Sequence, residues 1–99
     1  AQKSEVAMAW FRREEYPAIQ SAFGDTERLP GRYEDWEANA RRDEARLAAY
    51  GFRVVRVCVS ARDLLQWARG RFPEVDSQAV SAYADYMHRR GYDQRGRPE

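Results

Sequence analysis

Val54, Val55, Val57 and Val59 crowd the run from Phe52 to Val59, and that crowding constrains the fold more than any other feature of the chain. β-Branched side chains are stiff at χ1 and suit pleated backbone. Alternation sets Val55, Val57 and Val59 on one face and Val54, Arg56 and Cys58 on the other, so one face is only partly buried. A strand needs a partner. The run Val6 to Phe11 reads as a second short strand, and the stretch between the two is helical in pattern. If the two strands pair within one chain, a helix-bearing crossover favours a parallel pair. Two strands make a marginal sheet. Either helices cover both faces, or a second copy of the chain supplies more strands; the latter implies a homodimer.

The helices follow from apolar spacing and stop signals. Tyr16, Ile19 and Phe23 form one stripe of a helix over about Arg13 to Phe23, with Pro17 near its start and Gly24-Asp25 at its end. Asp25 to Arg32 is a connector in which Leu29 points inward. Tyr33, Trp36, Ala40 and Leu47, flanked by Ala48, mark a long helix from about Tyr33 to Tyr50, closed by Gly51. Glu37 with Arg41 and Asp43 with Arg46 have the spacing of surface ion pairs. Ser60 caps a third helix with Asp63 three residues on, and Ala61, Leu64, Leu65 and Ala68 form its stripe, widened by Trp67. Asp76 caps the last helix, Ser77 to about Arg90, with Val80, Tyr83, Ala84 and Met87 on its inner face.

The order is β-α-α-β-α-α: a small, mostly helical α+β (or α/β) chain of four helices and two short strands. Its 99 residues suit one domain, 1–99, with a loose N-terminus over 1–5 and a disordered tail over 92–99. Aromatic residues make up 13% of the chain, enough large side chains to build one core despite the high charge.

The segments Trp10-Phe-Arg-Arg-Glu-Glu-Tyr-Pro17, Leu29-Pro30, Tyr33-Glu-Asp-Trp36 and Gly51-Phe-Arg-Val-Val-Arg-Val57 together resemble a group of small bacterial proteins of about this length and without an assigned activity. The resemblance covers Met8 to roughly Trp67. It implies a bacterial cytoplasmic protein and transfers no functional residue.

Charge excludes little but guides much. Seventeen basic residues face sixteen acidic ones, giving a net charge of +1 and no bulk attraction to nucleic acid or to anionic lipid. The basic side is almost wholly Arg, as a GC-rich genome would produce. No apolar run approaches the ~20 residues of a membrane helix, and Val6 to Phe11 is too short for a secretory leader. A single cysteine, Cys58, forbids an internal disulfide and suits a reducing compartment.

No catalytic set emerges. Cys58 among valines reads as a small buried hydrophobe. His88, beside Arg89 and Arg90 at a helix C-terminus, reads as a surface residue on the negative end of the dipole. Ser60 has its capping role. One Cys and one His cannot build a typical zinc site, and no phosphate loop is present, so no metal or cofactor is expected. The carboxylate pairs Glu14-Glu15, Glu34-Asp35 and Asp43-Glu44 read as solvated faces.

Two groups of residues carry the functional expectations. Trp10, Tyr16, Tyr33, Trp36 and Trp67, with Phe52 and Phe72, lie near element ends, where aromatics line an interface or a pocket when they are not simply core. Arg89, Arg90, Arg95 and Arg97 offer phosphate contacts from the last helix and tail, and Gln78 and Ser81 would join them in a helix-turn-helix. The turn before that helix is too long for the motif, and Asp76 and Asp85 oppose it. The leading expectation is a non-enzymatic interaction module, self-associating through strand edges or aromatic surface. The alternatives are a nucleic-acid-associated regulator using the Arg-rich C-terminal helix and tail, and an enzyme of unrecognised type with an aromatic-lined pocket.

Overall fold

The two segments that read as strands pair with each other, in the parallel sense a helix-bearing crossover favours. In the computed structural model, which describes residues 4–23 and 28–91, strand β1 (Glu5–Trp10) and strand β2 (Arg53–Cys58) form a two-stranded parallel sheet. Glu5 pairs with Arg53 and Trp10 with Cys58. Ser4 and Trp10 carbonyls accept from the Arg53 and Val59 amides at 2.8 and 3.0 Å, extending the ladder past both strand ends. The first strand begins at Glu5, one residue before the expected Val6.

The crossover holds a 3-10 turn (Arg13–Glu15), helix α1 (Tyr16–Phe23) and helix α2 (Tyr33–Ala49). The expected single helix from Arg13 is therefore split. Pro17 falls in the first turn of α1, where its missing N–H breaks no helical bond. The Gly24-Asp25 stop lies outside the described residues. Leu29 is half-buried against the core. Helix α2 ends in a Schellman closure: Gly51 at φ 96° lets its own amide reach the Ala48 carbonyl and the Phe52 amide reach that of Leu47. That closure turns the chain directly into β2.

Helix α3 (Ala61–Ala68) and helix α4 (Ser77–Arg89) follow. The Ser60 side chain accepts from the Asp63 amide and the Asp76 side chain from the Ala79 amide, the two caps the sequence announces. The α3 start has a second acceptor that is not local. Glu15 Oε1 accepts from the Ala61 amide at 3.1 Å, pinning the 3-10 turn to the positive end of α3.

Ile19, Leu64, Val57 and Val59 are fully buried at the centre of the core. Val80, Tyr83, Ala84 and Met87 of α4 close over them, with Ala7 and Ala9 of β1 packed alongside. This is the face of Val57 and Val59. The other face carries Arg56 and Trp10, and α2 lies on it through Glu44 and Trp36. Helices thus cover both faces of the sheet. Leu65, expected in the apolar stripe of α3, is instead 43% exposed, because Leu64 and Ala68 already fill the space beneath the helix. Among the described residues no helix is long and apolar enough to cross a membrane.

Candidate functional site

Five rings from the N-terminal half gather at one end of the sheet. Trp10, Phe11, Tyr16, Tyr33 and Trp36 form a continuous cluster, with Phe11 stacked on Trp36 at 4.8 Å and Trp10 edge-on to it at 5.2 Å. Helical spacing on α2 brings Tyr33 and Trp36 to one side; the strand end delivers Trp10 and Phe11. Their polar atoms are engaged internally. The Tyr16 hydroxyl donates to the Pro30 carbonyl at 2.5 Å, and the Tyr33 hydroxyl to the Phe11 carbonyl at 2.8 Å. Burial raises the pKa of both phenols above the ordinary value, with nearby carboxylates adding to it. Trp10 and Tyr16 are buried, so this part of the cluster is core. Trp36 is half-buried and reaches a cleft.

Arginine seals the outer side of this cluster. Arg56 stands 3.7 Å from the Trp10 ring centroid and binds Glu44 through a two-pronged contact of 2.6 and 2.7 Å. Hydrogen bonding to Arg56 holds the Glu44 carboxyl below its ordinary pKa, against a smaller opposing effect of burial. The same contact raises Arg56. Arg13 lies over Tyr33 and pairs with Glu34 at the surface.

The cleft that Trp36 reaches has a volume of about 400 Å³ and runs along the free edge of β1. Ala40 and Leu47 of α2 form one wall, Val80 and Ser81 of α4 the other, and Ala7, Met8 and Ala9 the floor. In a parallel strand, successive residues direct their N–H and C=O groups to opposite edges. Ser4 and Trp10 bond toward β2, and so therefore do Val6 and Met8. Glu5, Ala7 and Ala9 consequently turn their backbone groups outward. Among the described residues nothing bonds the outward N–H and C=O of Ala7 and Ala9. An unpaired strand edge bordered by apolar side chains is the geometry that accepts another strand.

A second aromatic cluster lies between α3 and α4. Trp67 packs against Phe72, Tyr83 and Tyr86 with centroids 5.7, 5.3 and 5.4 Å away. Arg71 and Arg90 sit over Trp67 and Tyr86 at 5.2 and 5.5 Å. The Trp67 indole N–H is buried without an acceptor among the described residues, a condition worth about 1–3 kcal/mol of lost solvation.

The remaining expected residues fall apart from one another. Cys58 is half-buried rather than fully buried, since β2 ends there and the side chain borders a small cleft with Glu15, Ser60 and Asp63. His88 is not a plain surface residue: its Nε2 lies 3.2 Å from Glu5, at the start of β1. Glu5 and Trp10, the partner of Cys58, stand at opposite ends of a six-residue strand. His88 pairs with Glu5, whose strand partner is Arg53 at the far end of β2 from Cys58. Arg89 is paired with Asp85 at 2.8 Å. Ser81 borders the β1 cleft, whereas Arg90 lies toward the other end of α4. Arg95 and Arg97 lie outside the described residues. Phe52 is 39% exposed and belongs to neither cluster. Among the described residues no three metal-ligating side chains come together.

The β1 cleft is not legible in the sequence because segments far apart in the chain, β1, α1, Leu29, α2 and α4, come together to line it. The second ring cluster carried a signal: Trp67 with Arg71, and Tyr86 with Arg90, each stand at i and i+4. Comparison with protein-family models, curated proteins and solved structures finds no match, so geometry alone carries the functional reading.

Proposed function

We propose that this chain is a non-enzymatic interaction module that self-associates by adding a strand to the free edge of β1. The observation that carries the reading is the outward N–H and C=O of Ala7 and Ala9, unbonded among the described residues at the floor of a largely apolar cleft between α2 and α4. Two strands are few for a stable sheet, and a second copy supplies two more. Two identical edges related by a two-fold axis pair antiparallel and bury the same patch twice. Pairing about Met8 sets Ala7 of one copy opposite Ala9 of the other and brings Glu5 beside Phe11 and Arg12. The small side chains of Ala7 and Ala9 let the edges approach.

Sedimentation equilibrium across a concentration series tests it. The wild type is expected to move from monomer to dimer as concentration rises. Ala7→Pro removes one outward donor while leaving the β2 ladder intact, and is expected to weaken the dimer at least tenfold, about 1.4 kcal/mol. A wild type that stays monomeric at high concentration, or a variant that dimerises unchanged, counts against the proposal.

A further inference from the structure

We propose that the cleft between α3 and α4 binds a phosphorylated planar heterocycle, a nucleotide either free or within a single strand of nucleic acid. The cleft measures about 540 Å³ and is bordered by Trp67, Tyr83 and Tyr86, with Arg71 and Arg90 at its margins. Tyr86 is 36% exposed and carries the Arg90 guanidinium over its ring at 5.5 Å, so a planar heterocycle reaches that ring by displacing the guanidinium. Rings of this kind hold bases by their π faces without regard to sequence.

Charge selects the rest of the ligand. Both guanidinium groups lie over rings, and neither pairs with a carboxylate among the described residues. Neighbouring Arg89 is paired with Asp85, whereas Arg90 meets no carboxylate among the described residues. Arg71 spends one donor on the Trp67 carbonyl at 2.7 Å and keeps the others of its fork. Planar forks of this type match phosphate oxygens in pairs. Among the described residues Asp63 is the one carboxylate bordering the cleft, and Gln66 borders it too. An acid there accepts from a sugar hydroxyl or an exocyclic amine and keeps phosphate on the arginine side. With Arg71 and Arg90 swung off the Trp67 and Tyr86 rings they now cover and onto the phosphate, the heterocycle takes their place on those rings and the sugar lies toward Asp63. This arrangement uses none of the β1 edge, so it stands or falls apart from self-association.

The test is a titration of the full chain with deoxyadenosine monophosphate, deoxyadenosine, inorganic phosphate and single-stranded octadeoxyadenylate, followed by amide and indole shifts in NMR. The mononucleotide is expected to shift Trp67, Arg71, Tyr86 and Arg90 at millimolar concentration or below. The nucleoside and phosphate alone are each expected to bind at least about tenfold more weakly. Arg90→Gln and Tyr86→Ala alter exposed side chains and are expected to weaken binding about tenfold each, or ~1.4 kcal/mol, with unchanged circular dichroism. An octamer that binds far more tightly than the monomer, with a steep salt dependence, identifies single-stranded nucleic acid as the source; equal affinities identify the free nucleotide. Absence of shifts with every probe, shifts reproduced by phosphate alone, or binding untouched by both substitutions would overturn the proposal.

Discussion

Arg56 joins three parts of the molecule that are far apart in sequence. Its alternation on β2 points it to the face of Trp10, its guanidinium covers that ring, and both prongs of its fork engage Glu44 on α2. Lysine has a point charge and no fork, so Arg56→Lys is expected to cost about 1–2 kcal/mol in urea unfolding, the lower range for bonds to charged groups because the pair is part-exposed. The pH dependence has a definite sign. Glu44 has a lowered carboxyl pKa in the folded state, so its contribution is present above the unfolded value and is lost as pH falls through the folded one. Stability is expected to decline below about pH 4.5, and Glu44→Gln is expected to flatten that decline. Exposed Arg13–Glu34 should contribute nothing measurable. The sequence placed Arg56 on the partly buried face by alternation alone. It could not supply Glu44, because only the docking of α2 brings that residue near.

Each element owes its existence to local pattern and its position to a few long-range contacts. Valine spacing, the Ser60 and Asp76 caps and the glycine closure of α2 are written locally, which is why the element order was legible; that the two strands meet each other was not. Glu15 capping α3, the split at Arg13 and the exposure of Leu65 depend on how elements meet, and no periodicity carries that. Two substitutions one residue apart test the register. Met8→Pro removes a donor that faces β2 and is expected to unfold the chain or cost about 3 kcal/mol or more, whereas Ala9→Pro faces the open edge and is expected to leave the fold intact. Thermal unfolding of the two variants distinguishes them. Truncating Leu64, fully buried beneath α3, to alanine is expected to cost about 2–5 kcal/mol in the same experiment.

At the scale of the whole molecule, a two-stranded sheet is covered on both faces by helices, and no described residue pairs with the outer edge of β1. The five aromatic residues divide: Trp10 and Tyr16 are core, Tyr33 is half-buried with its hydroxyl on the Phe11 carbonyl, and Trp36 and Trp67 reach clefts. That division was hidden because ring spacing on a helix is the same whether the rings face a core or a groove. The central claim is that the β1 edge receives a second strand. Amide hydrogen exchange at Ala7, Met8 and Ala9, resolved by NMR at low and high protein concentration, tests it most directly. The account predicts that Met8 is protected at both concentrations, while Ala7 and Ala9 exchange freely when dilute and become protected together when concentrated. Ala7 and Ala9 amides that exchange at the same rate at every concentration would contradict it.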